Sequence, residues 1–458
     1  FSQIINFLSA GSSNALFVKV SQRQNEPKLV KFYLYILGVI FSINFVLIGV
    51  VYWFQLDDTL FINVSSQVVL ITFFIAVSYF LNVVLRQLND AFGFTSVAEY
   101  VFTIQKILSI FIVSFLYYLN YLDILNFLIY SLSISVISMI LWNYNLSMND
   151  KSILRKSVRM NLTDFKIYFN EFYVYCSPLL VHSIVILMLL VGERWLLQNY
   201  GGSVEQGYFG LAYKIGAAIF IVSGALVPIF NREFSISWAN RDVERCRHLF
   251  LTLVPSFFSV SAIISMFFCL NSEIVVGLFS GEGFKKSSQV VALMALYPIH
   301  QTYGQLLGTI YFSTDNTAAY RNVNVIFNVF AIILSLFLIG PREMYGLDLG
   351  SKGLALRLLI VQFLITNFYL FFCVKLMKIN FWKLFLHQFI VVTTLFITAY
   401  LAKKVSSILH LNELHSLLTS FLLYSVIVSI IALNFPRLFY FNKAVIMNKI
   451  KTLFTKND

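Results

Sequence analysis

Twelve long apolar stretches run through this chain of 458 residues, and its basic residues collect in every second gap between them. The stretches are Phe32–Phe54, Ser65–Leu85, Val97–Leu119, Ile124–Leu146, Phe169–Val191, Tyr208–Phe230, Leu249–Leu270, Gln289–Phe312, Val323–Ile339, Leu354–Val374, Leu384–Leu401 and Ser416–Phe435. The opening segment, Phe1 to Val18, reads as a thirteenth. A helix of about 20 apolar residues crosses the hydrocarbon layer, and inside that layer every backbone polar group has to be satisfied within the protein. The expected fold class is therefore all-α, a polytopic transmembrane helix bundle.

Charge sets the orientation. With the gap around Lys19 to Lys31 placed in the cytoplasm and the sides alternating from there, the outward gaps receive only Arg194, Lys285, Lys286, Arg342, Lys352, Lys403 and Lys404. Lys106, Lys214 and Arg357 fall inside spans, and all the rest of the 33 Lys and Arg lie on the cytoplasmic side. Basic residues anchor cytoplasmic loops in this way beside anionic lipid. The net charge of +12 thus implies a lipid bilayer as partner and no nucleic acid. A hydrophobic fraction of 59% against 12% charged excludes a soluble globular chain. The longest polar interval, Ser147 to Lys166, is too short to fold as a domain. Cys176, Cys246, Cys269 and Cys373 are scattered without a CxxC pair, which indicates neither a disulfide framework nor a metal site, and no cofactor motif is present.

The sequence opens on Phe inside an apolar run, with no basic n-region and no small-residue cleavage site, so it does not read as a signal peptide. If Lys19 to Lys31 is cytoplasmic, the first visible helix enters from outside. An earlier span is then expected, and fourteen spans in all. The basic interval divides the chain into an N-terminal bundle (1–146, lacking its first helix), a linker (147–168) and a second bundle of six (169–376). An extra helix pair (384–435) and a basic tail (436–458) follow. Pro178, Pro228, Pro255 and Pro298 each fall within or at the edge of a span, where proline leaves a carbonyl unpaired and permits a kink.

Charges in hydrocarbon are costly and tend to face a wet cavity or a partner. Lys106 lies about nine residues into its span, roughly 13 Å along a helix, too deep for easy snorkelling. Glu99 and Thr103 share its face, so Lys106 is expected either to line a lumen or to close an ion pair with Glu99. Lys214 and Arg194 lie near the outer surface and suit a cationic rim, unless Glu193 neutralises Arg194. His182, one turn after Pro178, and His300, in the run Pro298, His300, Gln301, Tyr303, Gln305, are candidates for ion coupling beside Glu99. A lone histidine in a span is more often a hydrogen-bonded packing residue. Asn324 and Asn328, one turn apart, are expected to hydrogen-bond between helices. Asp57–Asp58 is the one acidic pair of the kind that membrane glycosyltransferases use to hold a metal, in a gap too short for such an enzyme. No catalytic residue is assigned.

The stretch from Tyr200 through Gly201, Gly202, Glu205, Gly207, Tyr208, Ala212 and Lys214 to Ile215 resembles a segment of polysaccharide flippases of the Wzx type, in the MOP (MATE-like) superfamily. Phe1 to Gly11 is similar to that family's second helix. Gly283-Phe284, then Asn324 and Asn328, then Tyr345-Gly346 with Gly350 and Gly353, resemble its second bundle. The resemblance implies two pseudo-symmetric MATE-like six-helix bundles and no enzyme. It implies transbilayer movement of an undecaprenyl-pyrophosphate-linked glycan across the bacterial inner (cytoplasmic) membrane, with polysaccharide polymerase and chain-length machinery as partners. Lys106, Lys214 and Arg194 would then meet the pyrophosphate, and Glu99, His300 or His182 a coupling ion. The alternatives are a MATE-type ion-coupled exporter of small molecules and a polyprenyl-sugar-dependent glycosyltransferase.

Overall fold

A computed structural model describes residues 2–54, 65–149, 160–280, 282–409 and 412–441. Asp57–Asp58, residues 150–159 of the basic linker and residues 442–458 of the tail lie outside the described residues. Within them the chain is helical, with no strand. The helices are α1 (Ser2–Ser9), α2 (Ser12–Gln22), α3 (Pro27–Trp53), α4 (Ser66–Ala91), α5 (Thr95–Tyr118), α6 (Ile124–Met148), α7 (Leu162–Ile219) and α8 (Ile221–Ala239). They continue as α9 (Val243–Leu270), α10 (Ser272–Phe279), α11 (Ser288–Ser313), α12 (Thr317–Ile339), α13 (Gly350–Leu376), α14 (Phe381–Ile408) and α15 (Glu413–Asn434). Among the described residues, 10 helices are long and apolar enough to cross a membrane. The span expected at Gln289–Phe312 forms as α11 but falls outside that set, because His300, Gln301 and Gln305 dilute its apolar character.

Two departures from the expected spans have local causes. The opening segment is two helices, not one: Ala10 and Gly11 take positive φ (47° and 74°) and break it between α1 and α2. Gly11 also lies against α7, where a Cβ would stand 2.8 Å from Leu179 Cδ1. Conversely, α7 joins the expected span Phe169–Val191 to the first half of Tyr208–Phe230 through one residue, Gly202 (φ 74°, ψ −173°), and the rest of that second span continues in α8. The chain reverses there. The Arg194 guanidinium sits 4.5 Å from the Phe209 ring centroid. Fifteen residues of straight helix would hold the two about 22 Å apart. A substitution pair separates the two glycines. Gly202→Ala has open space around its new Cβ. Only the backbone opposes it, in a positive-φ, extended-ψ conformation almost confined to glycine, a cost of about 1–3 kcal/mol. Gly11→Val should cost more, because a β-branched side chain in the left-handed region (φ 74°, ψ 13°) meets Leu179 as well, and should show as the larger fall in detergent melting temperature.

The chain forms two compact units. The first comprises residues 1–184, 231–239 and 312–321. Its core joins Leu16, Phe32, Tyr33, Phe80, Leu88, Trp142 and Phe172, with Phe312 and Tyr320 packed against it. Its most extensively packed helix pair, α4 and α6, is sewn by polar groups. Asn82 Nδ2 donates to the Ser135 carbonyl (2.9 Å) and Ser135 Oγ (2.7 Å), and Asn145 Nδ2 to Asn89 Oδ1 (2.7 Å). Lipid tails are as apolar as leucine, so such bonds and close packing hold membrane helices where a hydrophobic drive is missing. The outer surface carries the complementary pattern. On α5, Ile110, Phe111 and Phe115 are exposed, and Tyr117, Tyr118 and Tyr121 ring its outward end as an aromatic belt.

The second unit comprises residues 185–230, 240–311 and 322–458. Leu197, Phe209, Val290, Met294, Ile339 and Leu354 centre its core. The helix pair α14 and α15 packs together and against α9 within this unit.

Candidate functional site

Where the sequence places charges in spans, the structure sorts them into paired and unpaired. In the first unit Glu99, near the start of α5, takes Arg86 of α4 as its partner, so the expected closed pair between Glu99 and Lys106 does not form. The reason is reach. Arg86, half-buried near the end of α4, comes to Glu99 across the tight corner at Gly93, and its guanidinium packs 4.7 Å from the Phe102 ring. Lys106 is exposed, with its ammonium 5.2 Å from the same ring, and has no carboxylate partner among the described residues.

In the second unit Glu193 does not neutralise its neighbour Arg194. It pairs instead with Arg357 of α13 and accepts a hydrogen bond from Ser335 Oγ of α12 at 2.7 Å. Register explains the meeting. Leu189, Ala331 and Val361 pack as one buried layer, and Glu193, Ser335 and Arg357 each stand one turn from a member of it, on the same side. Both charges are buried, Glu193 at 5% and Arg357 at 4% exposure. Arg194, released from Glu193, stacks on Phe209 and donates to Gln206 Oε1 at 3.2 Å, which closes the α7 reversal. Lys214 is exposed and, among the described residues, is in no ion pair.

The histidines are placed differently. His300 Nε2 lies 3.2 Å from Gln388 Oε1 and its ring meets Phe258 and Phe363 edge-on, within a net where Thr366 Oγ1 donates to the His300 carbonyl at 3.1 Å. His182 stands edge-on to Tyr320 in the first unit, and its Nδ1 is buried without a partner among the described residues. Asn324 bonds Tyr369 between helices as expected, while Asn328 Nδ2 is buried and unpartnered among them. Pro298 lies inside α11. It leaves the Met294 carbonyl without its helical donor and permits a kink there. Gly216 lets α7 approach that carbonyl, for a Cβ there would stand 2.8 Å from it. A cavity of about 110 Å³ opens beside Pro298, lined by Tyr213, Tyr297 and Gln301 among others.

The stretch around Tyr200 gains a structural meaning. Glu205 accepts from the Ser351 backbone N–H at 2.7 Å, at a point where Gly350 has φ +54° and no room for a Cβ. A carboxylate on the free N–H groups at a helix start is a favourable cap, here of α13. Tyr208 Oη donates to the Gly283 carbonyl at 3.2 Å and its ring meets Phe284. The Tyr200 stretch therefore touches two other pieces of the sequence resemblance, Gly283-Phe284 and the Gly350 corner.

At the end of the first unit that the charge pattern assigns to the cytoplasm lies a cluster whose cations read in sequence as headgroup anchors. Lys19 is only 6% exposed and donates to both carboxylate oxygens of Asp315 at 2.8 Å. Arg23 Nη2 bonds Glu171 Oε1 at 2.6 Å. Burial of that guanidinium acts against its charge, but the Glu171 hydrogen bond and charge outweigh it and hold Arg23 above the ordinary arginine value.

No protein-family model and no curated sequence matches the chain. Solved structures do. A MATE protein in the straight conformation is 14% identical with a TM-score of 0.65, covering 82% of this chain and 86% of its own. A point mutant of the Vibrio cholerae MATE transporter VcmN gives 12% and 0.64 over 83% and 88%. A MOP superfamily transporter from Pyrococcus furiosus, described as having a binding pocket of reverse polarity that suggests a different function, gives 14% and 0.61 over 82% and 86%. The chain has the MATE fold. In MATE-fold proteins this distant from one another the likeness is one of architecture, so the chemistry of this chain has to come from its own charges.

Proposed function

We propose that this MATE-fold chain is a flippase that carries undecaprenyl-pyrophosphate-linked oligosaccharide repeat units across the bacterial inner membrane by alternating access, for surface polysaccharide synthesis. The observation that supports it is the charge balance of the spans. Glu99 and Glu171, the carboxylates within the expected spans, and Glu193 at the edge of one are each paired with a cation, whereas Lys106 and Lys214 are in no ion pair among the described residues. Asp90, beyond the span expected at Ser65–Leu85, is buried at the corner beside Gly93, in no ion pair and with its Oδ1 unpartnered among the described residues. An unpaired ammonium in a span suits an anionic diphosphate, for which it supplies charge-assisted hydrogen bonds. The glycan needs a wet polar path, and the lipid tail can stay in the bilayer. No bond is made or broken.

A MATE-type exporter of small organic cations would need free carboxylates in its path, which this distribution does not favour. The two readings part in one experiment. In proteoliposomes, a fluorescent undecaprenyl-pyrophosphoryl oligosaccharide in the inner leaflet should become accessible to an outside glycosidase only when the protein is present, while ethidium efflux should not exceed that of empty vesicles. Ethidium transport without glycan exposure would replace the flippase by the exporter.

A further inference from the structure

We propose that Lys19, Asp315, Glu171 and Arg23 form a releasable latch at the cytoplasmic end of the first unit. It holds the corner between α11 and α12, which sequence assigns to the second bundle, onto helices of the first. The chain makes this corner special. α11 passes from the second unit into the first after Tyr311, and α12 passes back after Arg321, so residues 312–321 belong to one unit while the helices carrying them belong mostly to the other. Whatever fastens this corner holds residues 312–321 within the first unit.

The fastening is ionic and lopsided. Lys19 Nζ reaches both oxygens of Asp315 at 2.8 Å, and Gln22 Nε2 donates to the Ser313 carbonyl at 3.1 Å. Ser313 Oγ lies 2.8 Å from Ser235 Oγ, which draws in the end of α8 as well. Lys19 is buried, but the Asp315 side chain is 55% exposed and sits on a tight turn (φ 57°). Water and salt can therefore compete for the carboxylate and not for the ammonium. A buried ammonium stripped of its partner would normally make such a pair permanent. Here it would not be stripped, because Glu171 already stands 3.3 Å from Lys19 Nζ, sharing Oε1 with Arg23. Lys19 can fall back on Glu171 as Asp315 leaves. Arg23 in turn has Glu26 at 3.3 Å, itself held by Tyr168. Each cation thus has a second carboxylate waiting, which makes the cluster two-state rather than a fixed brace.

The test uses the full chain in native membranes, with its four cysteines replaced, Gln22→Cys and Ser313→Cys introduced, and a protease site inserted between residues 150 and 159. Oxidative cross-linking then reads as the two fragments staying in one band after cleavage. The expected result is a yield that falls at least threefold with Asp315→Asn at unchanged abundance and stays near the parent value with Asp315→Glu, which keeps the charge. The locked protein should lose at least tenfold in transport and regain it with reductant. Locked protein that transports at the unlocked rate, or a yield indifferent to Asp315→Asn, overturns the latch. The yields do not depend on the cargo: failure of the unmodified chain to move a lipid-linked glycan would sink the flippase reading and leave them to judge the latch.

Discussion

Arg357→Met should remove most of this protein from the membrane. The substitution leaves Glu193 as a buried carboxylate with one remaining donor, Ser335. Breaking a buried pair in this way costs about 3–5 kcal/mol. Against a total stability of roughly 5–15 kcal/mol, that is enough to change abundance severalfold and to lower the melting temperature in detergent well beyond the range of surface changes. Glu193→Gln should cost at least as much, since it leaves Arg357 buried without a carboxylate and a guanidinium, unlike a carboxyl, cannot shed its charge. The double change Glu193→Gln/Arg357→Met should recover most of the loss, because neither partner is left charged and alone. Arg357→Lys should fall between, since a point charge replaces a planar fork. Wild-type abundance and melting in Arg357→Met would mean that water or a rotamer change satisfies Glu193, and the pair would have no structural weight.

That pair also marks the limit of what the sequence discloses. Spans and orientation are legible because they depend on residue type and period alone: apolar runs of sufficient length have to be helices in a bilayer, and lysine and arginine declare the cytoplasmic side. The reversal at Gly202 is legible for a similar reason, since two adjacent glycines stand between two spans. Partner choice is different. Glu193 has a cation at its very next position and takes one from a distant helix instead. Successive residues on a helix cannot face each other, while three helices in register can. Lys19 is missed for the same reason: its place beside a cytoplasmic gap suggests a headgroup anchor, and only the arrival of Asp315 from the far end of α11 buries it. The break at Ala10–Gly11 leaves a weak signal, one glycine, which the apolar run around it outweighs. Glu205 is visible as part of a resemblance, but its cause, the capping of α13, lies in a helix far along the chain.

Lys106→Gln is expected to abolish transport while leaving abundance and melting unchanged, and the combination is what gives it force. Changes outside a functional site usually act by lowering stability and abundance. Here the usual route is closed: Glu99 is already satisfied by Arg86, and Lys106 is exposed with no carboxylate partner among the described residues, so removing its charge orphans nothing there. If the ammonium binds a diphosphate, its loss removes a charge-assisted contact worth about 1.5–3 kcal/mol, a fall of roughly 10- to 100-fold in the rate at which cargo is captured. Lys106→Arg keeps the positive charge and should retain part of the activity, since diphosphate tolerates either cation better than an amide. Glu99→Gln supplies the contrast, because it frees Arg86 and should lower abundance where Lys106→Gln does not. Surface polysaccharide in a complementation assay, read beside protein level, separates these outcomes. Full polysaccharide from Lys106→Gln at normal abundance would show that the cargo does not meet this ammonium, and the cationic path would then have to run through Lys214.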